Sequence, residues 1–260
     1  MPPAITDPAR RAALLAGWLR RAAAEPTTAT WVLRGSLVTA ALCRDARPPA
    51  DVDYLVAPTA AGFDPDGLAT IVRAIAARPD RATTLTVTAT EVIFGETASP
   101  GLRAFVDGVT DGGAADRFQL DLAVGDPMAV APRSIAIADV GPVLACAGET
   151  LFGWKLHGLC EYGRGRWRAK DLYDLDLLWR DAGLDLTATR AAVALAFSSR
   201  GLPTSALDDF RTRAGWGTSR GGARKWRTLR AAHPPADDLA ATVVRVRAAI
   251  TAVLGPPTPP

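Results

Sequence analysis

The feature that most constrains the fold is a change of pattern near residue 140. Before it, short β-prone segments with alternating polar and apolar residues are interleaved with segments of helical period, as in a sheet covered by helices. After Pro142 only helical patterns recur. The sequence therefore predicts a bilobed α/β (α+β) protein. Its core, with a small mixed sheet, would span residues 1–140, and an all-helical domain would span 141–260.

Capping and breaker residues set the predicted element boundaries. Asp7 before Pro8 is typical of a helix start, and the prolines at 48 and 49 interrupt the chain before the next strand. The predicted strands are 30–34, 51–56, 82–94 and 118–124, and the predicted helices are 9–24, 36–44, 66–77, 149–162, 170–181, 187–199, 205–213 and 237–254. The five glycines of 95–115 predict a loop there, and the proline-rich tail 255–260 predicts disorder.

Cysteine spacing and hydropathy indicate the cellular compartment in which the protein is expected. Cys43, Cys146 and Cys160 lie far apart, which argues against a disulfide framework or a zinc cluster and favours a reducing cytosol. The first residues lack an apolar signal core, and no segment approaches the roughly 18 apolar residues of a membrane span. We therefore expect a cytoplasmic protein without a membrane partner.

Charge divides the chain unevenly. Residues 1–140 hold 13 basic and 16 acidic side chains, a net of −3, whereas residues 141–260 hold 17 basic and 11 acidic, a net of +6. Within 200–230 only Asp208 and Asp209 oppose eight basic residues, which are Arg200, Arg211, Arg213, Arg220, Arg224, Lys225, Arg227 and Arg230. Such a stretch is typical either of a solvated helical face or of a surface for a phosphate-rich partner.

The sharpest chemical signal is Gly35-Ser36 followed, after fourteen residues, by Asp51-Val-Asp53 at the start of an apolar strand. Carboxylates at i and i+2 of a strand project from one face about 6–7 Å apart, within reach of the same small divalent ions. Mg²⁺ held in this way bridges carboxylates and a triphosphate. Gly35 and Ser36, at a strand-to-helix junction, would contact a phosphate through backbone N–H groups and a hydroxyl. Asp-x-Asp also occurs by chance as surface polarity.

Asp121 is a candidate third carboxylate. It stands in the middle of the segment FQLDLAV, between Leu120 and Leu122, and therefore points away from them. If this strand lies beside Asp51–Val56, Asp121 would complete a three-carboxylate cluster, as a metal ligand or as the base for an attacking hydroxyl. The alternative is an edge or solvent-facing aspartate.

This combination resembles the nucleotidyltransferase superfamily with its polymerase-β-like core. The segment from Gly148 to Trp179 is similar to the AbiEii/AbiGii toxin family of bacterial nucleotidyltransferases. The family pattern is a Lys-Leu on one helix, a basic loop, and Lys/Arg-Asp-x-x-Asp-Leu on the next helix. The matching segments here are Lys155-Leu156, residues 164–168, and Lys170 to Leu175. The resemblance covers roughly residues 30–180.

The resemblance implies the following roles. Asp51 and Asp53 would hold Mg²⁺, and Lys155 would contact the phosphates of an NTP. Asp171 and Asp174 would complete the site, and Arg47 would touch phosphate. Read from the residues alone, Lys155 is instead compatible with a lysine that extends to the surface, and Asp171 with a helix N-terminal charge. The family often carries Ser or Thr where this chain has Pro49.

The segment between the two helices is a candidate RNA contact. Arg164, Arg166 and Arg168 alternate with glycine and Trp167, so that the cations would meet phosphates and the indole would stack on a base. A solvated loop is the alternative.

The function implied is that of a Mg²⁺-dependent nucleotidyltransferase toxin in a toxin–antitoxin or phage-defence system. It would pass NMP from an NTP to RNA, with the tRNA 3′ end as acceptor and a cognate antitoxin as partner. Two alternatives remain: transfer to a small molecule of aminoglycoside type or to a protein, and a non-catalytic module that binds nucleotide or RNA.

Overall fold

The structure, a computed structural model, describes residues 7–58, 62–96, 99–161 and 166–256. The chain forms two compact units. The first comprises residues up to Ala41, Pro48–Asp126 and Pro132–Cys146. The second comprises Leu42–Arg47, Pro127–Ala131 and the residues from Ala147 onward. A six-residue segment of the second unit is therefore inserted into the sequence of the first.

The first unit is built on a mixed sheet of seven strands in the order β3-β4-β5-β2-β1-β7-β6. The β2–β5 and β1–β7 pairs are parallel, and the other pairs are antiparallel. The strands are β1 Val32–Arg34, β2 Val52–Val56, β3 Thr83–Ile93, β4 Gly101–Thr110, β5 Ala115–Val124, β6 Arg133–Ile137 and β7 Gly141–Ala145. The predicted class, a mixed α/β core followed by helices, is confirmed.

Three helices belong mainly to this unit: α1 Pro8–Ala23, α2 Ser36–Leu42 and α3 Pro65–Ala77. The carboxylate of Asp7 accepts a hydrogen bond from Ala9 N and caps α1, as the sequence predicts. The apolar face of α1 is buried at Leu14, Leu15 and Trp18. This burial against the sheet, and not helix propensity alone, holds α1 in place.

The prediction that residues 95–115 form a loop is wrong, because β4 occupies Gly101–Thr110. Leu102, Ala104 and Val106 are buried in the alternation typical of a strand with one face in the core. Two of the glycines that suggested a loop, Gly101 and Gly108, are sites of close packing within β4. At Gly108 a Cβ would lie 2.8 Å from both Cδ atoms of Leu14, so only glycine lets α1 approach this strand.

The second unit is helical. Its helices are α4 Gly148–Cys160, α5 Ala169–Asp181, α6 Leu186–Ser198, α7 Asp208–Thr212, α8 Arg220–Ala232 and α9 Leu239–Leu254. Helices α4 and α6 pack closely, since a Cβ at Gly153 would lie 2.8 Å from the carbonyl oxygen of Ala192. Strands β6 and β7 and helix α8 were not predicted from the sequence. Residues 257–260 of the predicted disordered tail lie outside the described residues.

No helix among the described residues combines the length and the apolar character needed to cross a membrane.

Candidate active site

The predicted carboxylates of the first unit lie in a row that runs across four strands. Arg103 on β4 is paired with Asp121 on β5, Asp121 with Asp53 on β2, and Asp53 with Arg34 on β1. Residues paired across strands project from the same face of a sheet. Two carboxylates therefore stand side by side, with an arginine on each outer side.

Gly35 and Ser36, at the junction of β1 and α2, contact Asp53 on β2 and Asp51 immediately before it. Gly35 has a φ of +75°, and a Cβ there would overlap Asp53 Oδ2, so the backbone lies directly against this carboxylate. The Ser36 hydroxyl donates to Asp51 Oδ1 at 3.1 Å. The Gly-Ser pair thus contacts both members of the Asp-x-Asp motif. The Gly35 backbone lies against Asp53, and the Ser36 side chain binds Asp51.

Asp121 is bound by an arginine that the sequence did not single out. Strand β5 lies beside β2, as the prediction required, and Asp121 is directly paired with Asp53. Arg103 Nε and Nη2 each donate to one oxygen of Asp121 at 2.8 Å. Among the described residues, no group of three or more His, Cys, Asp or Glu side chains is spaced to hold a metal ion. The metal role of the three aspartates stays a prediction.

Asp51 and Asp53 nevertheless offer the donor set that Mg²⁺ uses. This ion is commonly bound by one or two carboxylates together with substrate phosphates and water, and not by a cage of protein ligands alone. Both aspartates are partly exposed, Asp51 immediately before β2 and Asp53 on it. A third protein carboxylate is not required for such a site.

The predicted residues of the second unit form a cluster of buried charges around Asp174. Lys155 Nζ on α4 donates to Asp174 Oδ2 at 2.7 Å and lies 3.6 Å from Asp171 Oδ1. Arg47 Nε and Nη2 donate to the two oxygens of Asp174 at 3.0 and 2.9 Å. Asp174 is 1% exposed, so its charge is offset by two cations rather than by water.

The cluster shifts the pKa values of its members. Burial alone would raise the pKa of Asp174, but the charge of Lys155 and the hydrogen bonds from Arg47 lower it to about 2. Burial alone would lower the pKa of Lys155, whereas the neighbouring charges of Asp174 and Asp171 raise it above its ordinary value. Lys155 is therefore an ammonium at neutral pH, the form that stabilises negative charge.

His233, at the end of α8, extends the surroundings of this cluster. Its ring is stacked on that of Tyr173, with centroids 6.5 Å apart and planes 10° from parallel. The Tyr173 hydroxyl donates to the carbonyl oxygen of Asp45 at 2.6 Å. Burial and the charge of Arg47 lower the pKa of His233, so its imidazole is neutral at pH 7. Nothing in the sequence alone connects His233 with Lys155 and Asp174.

The expectation that Trp167 stacks on a nucleobase is wrong. The indole is 3% exposed and packs on Trp216, with centroids 4.8 Å apart. Arg166 and Arg168 are exposed, and their RNA contact stays a prediction. Arg164 lies outside the described residues.

Sequence reasoning also missed a third buried carboxylate on α5, in addition to Asp171 and Asp174. Asp176 is 2% exposed and accepts from Arg245 Nε and Nη2 on α9 at 2.7 and 2.9 Å. The signal was present, because Asp174 and Asp176 both interrupt an apolar helix at positions that cannot all face solvent. The distant arginine that satisfies each of them could not be identified from one sequence.

Comparison with known proteins places these features in context. A family model described as "Nucleotidyl transferase AbiEii toxin, Type IV TA system" matches residues 18–251. Among solved structures, the crystal structure of an antigenic nucleotidyltransferase-like protein from Paracoccidioides brasiliensis matches with a TM-score of 0.43 and 16% identity, over 76% of this chain and 92% of that chain. No curated protein matches the sequence.

Proposed function

Because the chain belongs to the AbiEii family of nucleotidyltransferase toxins from type IV toxin–antitoxin systems, we propose that it transfers NMP from an NTP to RNA. The proposed acceptor is the 3′ end of tRNA, the proposed metal is Mg²⁺, and the proposed partner is a cognate antitoxin. The reaction class, nucleotidyl transfer, follows from the family.

The observation that carries the proposal is the arrangement of Gly35, Ser36, Asp51 and Asp53. Asp51 lies immediately before β2 and Asp53 lies on it; the Ser36 hydroxyl binds Asp51, and the Gly35 backbone lies against Asp53. Asp51 and Asp53 would hold Mg²⁺, which when bound neutralises triphosphate charge and orients the α-phosphorus. Such a site suits phosphoryl and nucleotidyl transfer, in which positioning and electrostatics do most of the work.

In the proposed reaction the acceptor hydroxyl oxygen forms a bond to the α-phosphorus, and the bond from that phosphorus to the bridging oxygen breaks. Pyrophosphate leaves with the bond electrons. Asp121, or another carboxylate of the row, would take the hydroxyl proton. Arg103, bound to Asp121, would orient this carboxylate during the transfer.

Lys155 is proposed to stabilise charge that builds on the phosphates as pyrophosphate leaves. Its raised pKa supports this role, since the side chain stays cationic over the whole physiological range. Asp174 and Asp171 hold the ammonium in one place, so little reorganisation is needed when the substrate binds. Arg47 is proposed to act through Asp174 and to contact phosphate when the nucleotide is present.

An RNA acceptor is supported by charge. The residues after 140 carry a net charge of +6 from 17 basic and 11 acidic side chains, which disfavours a polycationic small molecule such as an aminoglycoside. A polyanion is the partner that such a surface attracts.

The test incubates the protein with Mg²⁺, each α-³²P-labelled NTP in turn, and total tRNA. We expect label on tRNA with at least one NTP. Asp53→Asn should reduce transfer by about 10³-fold, because loss of metal-held charge stabilisation costs several kcal/mol. Asp111→Asn, at an exposed turn, is the matched control and should retain activity. Label on protein or on a small molecule, or no label at all, contradicts the RNA acceptor. Equal activity of Asp53→Asn would contradict the site.

A further inference from the structure

Helix α8 presents a row of arginines that have no role in the proposed catalytic steps. Arg220, Arg224 and Arg227 follow one another at i, i+4 and i+7, so they share one face of the helix, and all three are exposed. Helix α8 contains no acidic residue. Among the described residues, no carboxylate lies within ion-pair distance of any of the three guanidinium groups. The charge of this row is therefore not offset by a neighbouring carboxylate in the described part of the chain.

The opposite face of α8 is firmly packed. Trp226 is 3% exposed, and its Nε1 donates to the carbonyl oxygen of Asp237 at 3.0 Å. Lys225 Nζ donates to the carbonyl oxygen of Trp167 at 3.1 Å, which joins the helix to the segment before α5. The arginine row is therefore displayed on a fixed element, and a ligand would not have to order the helix on binding.

A cavity of about 440 Å³ lies along the same helix. The cavity is open to solvent, and Arg224, Lys225, Thr228 and His233 contribute two cations, a hydroxyl and an aromatic ring to its lining. This volume is within the range of small-molecule and nucleotide pockets. The neutral, stacked ring of His233 adds a flat surface and a hydrogen-bonding nitrogen.

We propose that α8 binds the sugar–phosphate backbone of the RNA acceptor, with successive phosphates on Arg220, Arg224 and Arg227 and one nucleotide in the cavity beside Arg224 and His233. This inference rests on the proposed function, since it takes RNA to be the acceptor. The row covers about 10 Å of helix at 1.5 Å per residue. That length suits about three successive phosphates of one strand and exceeds a single inorganic phosphate.

The experiment measures binding and transfer separately. The triple variant Arg220→Gln, Arg224→Gln, Arg227→Gln is compared with a control triple variant, Arg44→Gln, Arg73→Gln, Arg81→Gln, whose three arginines are also exposed and which changes the net charge equally. Affinity for 5′-fluorescein-labelled tRNA is measured by anisotropy at several salt concentrations without NTP. Affinity for NTP is measured by calorimetry, and thermal unfolding verifies the fold of both variants.

We expect the α8 variant to bind tRNA at least about tenfold more weakly than the wild type. The slope of log K against log salt should fall by about 2 to 3, one for each lost phosphate contact. NTP affinity should be unchanged, and the control variant should bind tRNA nearly as well as the wild type.

The outcomes separate this inference from the proposed function. If the wild type labels tRNA and the α8 variant binds tRNA normally, the α8 surface is refuted while RNA transfer stands. An equal loss in both triple variants also overturns it, because the effect is then one of net charge. If the α8 variant loses tRNA affinity but the wild type transfers no label to tRNA, the α8 surface is supported and the proposed reaction is refuted. If the wild type binds no tRNA, both are overturned.

Discussion

Arg103 on β4 and Asp121 on β5 lie directly opposite each other and form two hydrogen bonds of 2.8 Å each. The same two strands carry a second pair of this kind four residues along, between Asp107 and Arg117. Only the first pair adjoins a carboxylate of the adjacent strand, since Asp121 is also paired with Asp53. Arg103 therefore supplies positive charge that offsets the repulsion between two neighbouring aspartates.

We expect Arg103→Ala to increase the affinity for Mn²⁺, used as a probe for Mg²⁺, by about tenfold. Asp121 would then add an uncompensated carboxylate beside Asp51 and Asp53, and tenfold corresponds to about 1.4 kcal/mol. Binding is followed by electron paramagnetic resonance of free Mn²⁺, which does not depend on turnover. Arg117→Ala, the equivalent change in the second pair, should leave the affinity unchanged. Weaker Mn²⁺ binding in Arg103→Ala would show that Arg103 supports the metal site instead of competing with it.

Gly35→Ala should nearly abolish activity. The new Cβ overlaps the Asp53 carboxylate and forces it to move, in addition to the cost of about 1–2 kcal/mol for a side chain at φ of +75°. Gly113→Ala is the matched control, because Gly113 has a φ of +76° and its Cβ would meet nothing within 4 Å. Urea unfolding should show some loss of stability in both variants, while nucleotide transfer is lost only in Gly35→Ala. Full activity in Gly35→Ala would contradict the proposed position of Asp53.

Acid should destabilise the second unit through Asp174. Its folded pKa of about 2 lies below the unfolded value of about 4, so its contribution is complete above pH 4 and disappears as the pH falls to about 2. In Lys155→Met this pKa rises towards the unfolded value, so less stability should be lost between pH 4 and pH 2. The variant should also be less stable at pH 7 by roughly 2–4 kcal/mol, since Asp174 keeps only Arg47.

The measurement is the free energy of unfolding from urea titrations between pH 2 and pH 8. Arg180→Met serves as control, because it also removes one of two cations from a buried aspartate, Asp176. Arg180 is 38% exposed at the side chain, so little change is expected there. An identical pH dependence in Lys155→Met and the wild type would refute the coupling.

Trp167→Ala should destabilise the protein by about 3–5 kcal/mol, the cost of removing a large buried side chain. The reason is the contact with Trp216, together with the near-complete burial of the indole. Chemical unfolding followed by circular dichroism measures the change. Arg166→Gln, one position earlier and exposed, should have almost no effect on stability. An unchanged stability in Trp167→Ala would contradict a structural role for the packing of Trp167 on Trp216.

The sequence located the elements around the candidate site well, because local rules determine them. Asp7 caps α1, Gly35-Ser36 begins α2, and the alternation around Asp53 and Asp121 identifies two strands. Residue types with fixed backbone preferences act over short distances, so a single sequence contains this information.

The features that were not predicted from the sequence depend on contacts between distant segments of the chain. Gly108 looked like a loop residue, whereas glycine is needed there because a side chain would collide with Leu14, which is 94 residues earlier in the sequence. Arg103 and Arg245 were indistinguishable from other arginines until their partners Asp121 and Asp176 were known. Trp167 looked like an exposed ring in a basic loop because the packing partner Trp216 is 49 residues away.

The segment Leu42–Arg47 has a consequence for how such a protein can be rearranged genetically. It belongs to the helical unit, where Arg47 binds Asp174 and the Asp45 carbonyl binds Tyr173, yet it is encoded between Ser36 and Asp51. A single crossover near codon 147 would therefore combine the helices of one parent with the Leu42–Arg47 segment of the other parent. The partner of the buried Asp174 would be inherited from the other parent, so exchange of the helical unit between relatives requires both stretches to move together.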